Sequence, residues 1–232
     1  MIMTLTATDL GLPSTCGIPA SRGRITKEAV HRMLHPLGKA GKQLTENIDS
    51  ITMIATIGAE SIAIPAGTMT KQINVMGIGL RGEKVPEEFL TCFSRDLDTR
   101  SSHAGRILYI LYGDHGYSVA VYRNADIHVG LMAGAILLGD ALADQVPRLR
   151  LLGDNLDKAW DSLCAQVLLG DEDGLDVDAR IVASRQRKAL ERDLERLQRR
   201  HAREKQIAIR NGLWDQMVDI RKQLTELQGG HR

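Results

Sequence analysis

Aromatic side chains are scarce in this sequence. Phe, Trp and Tyr together make up 3% of its 232 residues, so a hydrophobic core has to be built from Leu, Ile, Val, Met and Ala. The shortage also argues against a module that binds single-stranded nucleic acid, because such modules stack the bases on aromatic rings.

Cysteines and long apolar runs are scarce as well. The three cysteines, Cys16, Cys92 and Cys164, are odd in number and none has the CxxC spacing of a zinc knuckle, so we expect buried, reduced thiols. The N-terminus lacks the basic and apolar regions of a signal peptide. The most apolar window, residues 127–142, is shorter than the ~20 residues that cross a bilayer. We expect a cytoplasmic protein without a membrane partner.

The common motifs of catalysis and metal binding are also missing. The sequence has no phosphate-binding loop, no GxSxG and no HExxH. His31 and His35 are four residues apart on a predicted helix, but the adjoining sequence offers no second type of ligand. The acidic run at 171–178 lacks the glycine and the glutamate of a calcium loop. We therefore expect no catalytic residue, no metal and no cofactor.

A restriction-type nuclease is the enzyme that we considered most closely. Such a site needs an acidic residue and then a D/E-x-K motif on neighbouring strands, so that carboxylates hold Mg²⁺ and the lysine steadies a water molecule. Gln72 and Arg81 stand where the acid and the lysine would be needed, and Glu83 and Lys84 are adjacent rather than spaced by one. A divergent metal-dependent nuclease is left as the enzymatic alternative.

The order of the predicted elements favours an α+β fold with a mixed or antiparallel sheet and flanking helices, followed by a long C-terminal helix or helical hairpin. A first helix is predicted to begin after Thr26, whose side chain can cap it. The predicted organisation is an extended lead-in at 1–24, a globular domain at 25–170, an acidic linker at 171–180 and a helical arm at 181–232.

Strands are predicted from runs of β-branched and alternating apolar residues. Residues 50–57 and 61–64 would form a hairpin around the turn Gly58-Ala59-Glu60. Residues 71–80 carry apolar side chains on both faces, which predicts a central strand. Gly113-Asp114-His115-Gly116 predicts a second hairpin, and residues 127–138 predict a further strand region.

Two apolar stripes run along the helical arm, with residues recurring every three or four positions as in a coiled coil. They comprise Leu190, Leu194 and Leu197 and then Leu213, Met217, Ile220 and Leu224. The spacing of three or four residues that begins at Leu190 continues to Ala208, and the next stripe residue, Leu213, lies five positions further on. The arm is therefore either one long helix, which we favour, or a hairpin that turns at Asn211-Gly212. Such narrow stripes need a partner, which is either the chain's own domain or, as we expect, another chain.

A basic stripe lies on the same arm. Nine Lys or Arg stand against four Asp or Glu between Arg185 and Lys205. Four arginines at spacings of 4, 3 and 4 share one helix face, namely Arg192, Arg196, Arg199 and Arg203. Such a face can neutralise a nucleic-acid backbone without reading its sequence. The alternative is a solvated face that Glu191, Glu195 and Glu204 partly balance.

Several segments, in their order, resemble DUF4391, a bacterial family of unknown function. They are LPST at 12–15, RITKEAVHRML at 24–34, IAIPAG at 62–67, KQINVMGIGLR at 71–81, ILYILY at 107–112, VAVYR at 119–123, LRLLGDNLDKAWDSLCAQV at 149–167 and REKQIAIRNGLWDQMVDIRKQLTEL at 203–227. The chain departs from the family at Thr26, where Pro is usual, at 53–57, where an aromatic residue and Lys are frequent, and at Gln72, where an acidic residue is frequent. The resemblance supplies no catalytic residues. It implies genes for helicases, DNA methyltransferases and restriction-like enzymes beside the gene for this protein.

These observations predict a non-catalytic accessory or adaptor subunit of a bacterial anti-phage defence or restriction-type system. Its apolar stripes would bind a protein partner, which is a helicase, methyltransferase or restriction-like subunit, or a second copy of the chain. The first alternative is a protein that binds nucleic acid without sequence preference through the basic stripe, and the second is the divergent nuclease.

Overall fold

Six strands form one mixed sheet, in the order in which they occur along the chain. The strands are β1 (Arg24–Ile25), β2 (Ile48–Gly58), β3 (Gln72–Leu80), β4 (Gly105–Gly113), β5 (Gly116–Arg123) and β6 (Ala135–Leu138). The computed structural model describes residues 5–35, 38–100, 105–123, 134–142 and 145–229. All neighbouring strands are antiparallel except β3 and β4, which are parallel.

Seven helices accompany the sheet in the described ranges. They are α1 (Ala20–Gly23), α2 (Lys27–Leu34), α3 (Gly38–Glu46), α4 (Glu87–Arg100), α5 (Leu156–Leu168), α6 (Val177–Arg203) and α7 (Ile207–Gly229). The parallel pair exists because α4 carries the chain back across the sheet between β3 and β4, as parallel strands require. The α+β class and the long C-terminal helices agree with the prediction from sequence.

Two compact units divide the chain, Met1–Val177 and Asp178–Arg232. We call them the sheet unit and the hairpin unit. The sheet unit has a layer of apolar side chains on each face of the sheet. On one face, Phe89 and Leu90 of α4 pack in a cluster with Tyr109 of β4. The Tyr109 hydroxyl is fully buried 2.7 Å from the Ser94 hydroxyl, and this burial raises the pKa of Tyr109.

Helix α5 lies over the other face of the sheet. Arg123, at the end of β5, points away from the Tyr109 face and donates to Asp161 of α5 over 2.8 Å. The Arg123 side chain is only 9% exposed, whereas the Asp161 side chain is 37% exposed, so the guanidinium is buried and the carboxylate still reaches water. Trp160 of α5 is also buried.

Several local predictions are confirmed. The Thr26 side chain caps α2 by accepting from the backbone N–H of Ala29 at 3.2 Å. The strand predicted at 71–80 is β3, a central strand between β2 and β4. The hairpin predicted at Gly113–Gly116 joins β4 to β5, and Gly116 adopts a φ of +89° that suits glycine.

The short hairpin predicted around Gly58-Ala59-Glu60 is wrong. Strand β2 runs without interruption from Ile48 to Gly58 and pairs with β3. Residues 59–71 form the connection between these two strands and contain no strand. The backbone N–H groups of Ser61 and Ile62 both donate to the Gly58 carbonyl, so a turn ends β2 but does not begin a second short strand.

Two predicted connecting segments also pack more closely than expected. The segment predicted as an extended lead-in buries Leu10, Leu12 and Cys16 and contains α1. The segment predicted as an acidic linker lies against α5, where the Ser162 hydroxyl donates to the Glu172 carbonyl at 2.7 Å. The strand region predicted at 127–138 is described only from residue 134, and there it contains β6.

Candidate nucleic-acid interface

The C-terminal arm is a pair of helices, and our preference for one long helix is wrong. Helix α6 ends at Arg203 and α7 begins at Ile207. In the connection, the Glu204 side chain accepts from the Gln206 backbone N–H at 2.9 Å. The alternative turn at Asn211-Gly212 is not used either, because both residues lie inside α7.

The two apolar stripes of the arm pack against each other. Leu197 of α6 is buried with Leu213 and Met217 of α7, and Leu194 and Ile220 lie against this cluster. The two remaining members of the predicted set, Leu190 and Leu224, are half-buried. The break between the helices at residues 204–206 separates the two stripes, and the change of frame between Ala208 and Leu213 falls inside α7.

The predicted partner-binding role of these residues stays a prediction. Leu197, Leu213 and Met217 are 8%, 3% and 2% exposed, so a partner could reach them only if the hairpin opened. The sequence spacing identified the right residues as a contact surface. It did not reveal that each stripe is the partner of the other.

The four predicted arginines lie on the opposite face of α6. At 100° per residue, Arg192, Arg196, Arg199 and Arg203 fall within about 60° of arc, roughly half a turn away from Leu194 and its neighbours. All four are exposed. We call these four residues the arginine stripe. Because the apolar contacts of α6 are on its other face, the stripe is not needed to hold the hairpin together.

Two of these arginines have acidic neighbours on the same helix. Arg196 lies 3.0 Å from Asp193 and Arg199 lies 2.8 Å from Glu195. All four side chains are more than half exposed. Exposed pairs of this kind contribute only a few tenths of a kcal/mol, so a phosphate group can replace the carboxylate at little cost.

The C-terminal part of the arginine stripe lines an open recess of about 520 Å³. Its described lining consists of Arg196, Arg199, Arg200, Arg203 and Glu204. Four guanidinium groups and one carboxylate therefore share a single solvent-filled space. Arg200 was missed by the sequence spacing, although the adjacent pair Arg199-Arg200 is a signal that could have included it.

Charge divides sharply between the two units. The hairpin unit contains fourteen Lys and Arg and eight Asp and Glu, a formal charge of +6, whereas the sheet unit has sixteen and twenty-one, a formal charge of −5. The overall charge of +1 hides this difference. The basic groups of the chain are thus concentrated on the unit that carries the recess.

Trp214 of α7 contributes an aromatic ring to the hairpin unit. The Arg221 guanidinium lies 5.5 Å from the ring centroid, and the His201 ring of α6 lies 6.0 Å away in a tilted arrangement. His201 stands four residues after Leu197, at the next position of the apolar stripe of α6, and its ring contacts the Trp214 ring. The Trp214 side chain is nevertheless 49% exposed.

A compact polar arrangement in the sheet unit is built around Asp157, at the start of α5. Its carboxylate accepts from the backbone N–H groups of Thr68 at 2.6 Å, Thr70 at 2.7 Å and Met69 at 3.2 Å. Burial raises the pKa of Asp157, but the hydrogen bonds from residues 68–70 together outweigh it and hold the pKa below its ordinary value of 3.8. Gly67 is required here, because a Cβ atom would overlap the carboxylate.

This arrangement connects two of the segments that carry the family resemblance. IAIPAG at 62–67 ends beside the amide groups, and Asp157 belongs to the segment at 149–167. The arrangement has a structural role, since the carboxylate fills the amide cradle and fixes the β2–β3 connection to α5. No local sequence signal pairs these residues, which are 87 to 89 positions apart.

Two of the three positions at which the chain departs from the family, residues 53–57 and Gln72, lie on the β2–β3 pair, whereas Thr26 caps α2. The Gln72 side-chain amide donates to the side-chain Oδ1 of Asn74 at 2.7 Å, and the Thr56 hydroxyl donates to the same Oδ1 at 3.3 Å. The side chains that meet at this end of the β2–β3 pair are therefore neutral hydrogen-bonding groups. Arg81, considered above for a nuclease site, lies 3.4 Å from Asp49 instead, and Glu83 lies 3.4 Å from His115.

The remaining candidates for metal binding have local roles. His35 ends α2 with a φ of +43°, and its backbone N–H donates to the His31 carbonyl. In the acidic run, the side chains of Asp171 and Asp173 accept from backbone N–H groups two residues further on. Over the described ranges, no three His, Cys, Asp or Glu side chains come together as a metal site.

The fold and the recess define an α+β protein with a mixed six-stranded sheet and a basic helical hairpin. The profile of the family Domain of unknown function (DUF4391) matches residues 10–224, and the chain therefore belongs to DUF4391. Comparison with curated proteins and with solved structures gave no match. Among the helices that the structure describes, none is both long and apolar enough to cross a membrane.

Proposed function

We propose that the protein binds the phosphate backbone of nucleic acid through the arginine stripe of α6, without reading the base sequence. The observation that carries this proposal is the recess lined by Arg196, Arg199, Arg200 and Arg203. Arginine suits this role, because its planar guanidinium donates two parallel hydrogen bonds to a phosphate group.

The distribution of charge supports the same function. A positive hairpin unit attracts a polyanion, while the negative charge of the sheet unit disfavours its binding elsewhere on the chain. Each phosphate that an arginine neutralises releases condensed counterions, so binding should weaken steeply as salt is added. Four contacts predict a slope of about −3.6 in a plot of log K against log salt for duplex DNA.

A charge-matched pair of variants tests the proposal. The stripe variant replaces Arg192, Arg196, Arg199 and Arg203 by Gln. The control replaces Arg187, Lys205, Arg210 and Lys222 by Gln, four exposed cations of the same unit that lie off the stripe. Both lose four positive charges, and fluorescence anisotropy with a labelled 20-base-pair DNA measures their affinity.

We expect the stripe variant to lose at least ten times more affinity than the control and to have a shallower salt slope. Equal losses would show that net charge alone attracts the DNA, and no binding of the wild type in 50 mM salt would refute the proposal. The same probe, incubated with Mg²⁺, tests the divergent nuclease, which the described residues do not favour.

We propose, as a second candidate, the accessory role in a defence or restriction-type system, through contact with an acidic protein subunit. The observation that favours it is a row of exposed apolar residues on α7. Ile207, Trp214 and Val218 are 71%, 49% and 46% exposed. Because they are spaced by seven and four residues, they lie on the same face of the helix. A partner with an apolar surface bordered by acidic residues would complement this face and the positive charge of the unit.

Co-purification with a helicase or methyltransferase subunit encoded beside this protein tests the second candidate. Ile207→Glu should release that subunit. Leu175→Glu should not, because Leu175 is equally exposed at 71% but lies in the sheet unit. Retention of the subunit by Ile207→Glu would exclude this face as the contact.

A further inference from the structure

We infer that the arginine stripe takes double-stranded rather than single-stranded nucleic acid. This inference rests on the proposed function and specifies its substrate class. Three features of the hairpin unit support it: the regular spacing of the cations, the absence of stacking rings from α6, and the acidic residues that border the stripe.

The backbone of α6 spaces its cations in a regular array. Arg185 and Lys188 continue the arginine stripe toward the N-terminus, so the array extends over about 27 Å of helix at 1.5 Å per residue. A duplex is a stiff rod with one charge per ~1.7 Å of its axis. Because its shape is already fixed, it can contact the whole array without losing conformational freedom. A flexible single strand would have to lose conformational freedom in order to match the same array.

Proteins that hold single strands offset this loss by stacking the bases on aromatic rings. Helix α6 contains no Phe, Tyr or Trp. The aromatic ring of the hairpin unit, Trp214, is in contact with Arg221 and His201 and belongs to α7. The arginine stripe itself therefore offers a single strand charge contacts without a stacking surface.

Acidic residues border the stripe on both sides. Viewed along α6, Glu191 and Glu195 lie on one side of it and Asp193 on the other, each about a quarter of a turn away. Up to Arg199 the positive strip is therefore about one side chain wide, and Arg200 widens it at the end of α6, on the side of Asp193. It fits one phosphate ridge of a duplex, and the flanking carboxylates oppose the collapse of a flexible strand around the helix.

A competition experiment with the full-length chain tests this inference. Protein bound to a labelled 20-base-pair DNA in 50 mM salt is challenged with the unlabelled duplex, with a scrambled duplex of equal length, or with one isolated strand. We expect both duplexes to compete equally and the single strand to need at least a tenfold higher concentration of nucleotides. Trp214→Ala should leave the duplex affinity within twofold of wild type.

The outcomes separate the two proposals. If the labelled duplex does not bind at all, the proposed function fails. If it binds and the single strand competes equally well or better, the proposed function stands and the preference for duplex is overturned. A Trp214→Ala variant that weakens competition by the single strand would identify Trp214 as a stacking surface and would also contradict the inference.

Discussion

The sheet unit and the hairpin unit are stabilised in different ways. Among the described residues, forty buried apolar side chains belong to Met1–Val177 and only four to Asp178–Arg232. The sheet unit also has the non-local tie at Asp157, whereas the hairpin unit is held by a short row of Leu and Met contacts. A unit with so small an interior presents most of its surface to solvent, and it is also the unit that concentrates positive charge.

A pair of leucine truncations should give the largest effect and tests whether the two units unfold separately. Leu90→Ala removes a fully buried side chain from the sheet unit, and Leu213→Ala removes a 3% exposed side chain from the hairpin unit. Each substitution should lower the free energy of unfolding of its own unit by about 3 kcal/mol, because it leaves a cavity.

The two tryptophans make this measurable, since Trp160 belongs to the sheet unit and Trp214 to the hairpin unit. Urea unfolding followed by fluorescence in a Trp214→Phe background reports on the sheet unit. The part of the fluorescence change that is seen with both tryptophans but is absent from the Trp214→Phe protein reports on the hairpin unit. If Leu213→Ala shifts the Trp160 transition as much as Leu90→Ala does, the units unfold together and the comparison fails.

Asp157→Asn should give the next largest effect, because it removes a non-local tie of the sheet unit that the hairpin unit lacks among the described contacts. An amide has one acceptor oxygen in place of two charged ones, so at least one N–H of residues 68–70 loses its partner. We expect the free energy of unfolding to fall by about 2 kcal/mol at pH 7, which is the size of a hydrogen bond to a charged group. Urea unfolding followed by Trp160 fluorescence measures it.

The contribution of Asp157 to the free energy of unfolding depends on pH in a defined direction. Because the pKa of Asp157 in the folded chain lies below its ordinary value of 3.8, its contribution is complete above that pH and is lost as the pH falls through the folded-state value. The difference between wild type and variant should therefore be constant from pH 7 to about pH 5 and shrink below pH 4. Asp154→Asn is the control, since Asp154 is exposed and its described contacts are local, with the Lys158 ammonium and the side-chain amide of Asn155. An equal loss in both variants would contradict the assigned role of Asp157.

Local signals in the sequence were sufficient for much of the fold. The cap at Thr26, the hairpin at Gly113–Gly116 and the two-sided apolar pattern of β3 each depend on residues within a few positions of one another. The connection at 59–71 could not be predicted in the same way. Its backbone N–H groups are held by Asp157, which belongs to α5 and is 87 to 89 positions away in sequence.

The candidate interface was predicted in part. The spacing of Arg192, Arg196, Arg199 and Arg203 placed them on one face, and they do share one. The end of α6 was missed because Glu204-Lys205-Gln206 contains no Gly or Pro. A weaker signal was present, since the last turn of α6 holds Arg200, His201 and Arg203, and cations are favoured at the C-terminus of a helix.

Gly212→Ala should give the smallest effect, and its sign distinguishes the observed helix α7 from an arm that turns at Asn211-Gly212. Gly212 lies inside α7, and a Cβ atom added to it would meet no other atom within 4 Å. Alanine should therefore stabilise the hairpin unit by about 1 kcal/mol, the difference in helix propensity between the two residues. Trp214 fluorescence and far-UV circular dichroism during urea unfolding measure the change.

Gly170→Ala is the matched control for this gain. Gly170 also has open space around it, but its φ of +78° is one that alanine adopts only with strain. The same substitution should therefore destabilise the sheet unit by roughly 1 kcal/mol. If Gly212→Ala instead destabilised the hairpin unit, residue 212 would have a left-handed turn conformation. The arm would then turn at Asn211-Gly212, the packing of Leu197 against Leu213 would be wrong, and the arginine stripe would lose its position opposite that contact.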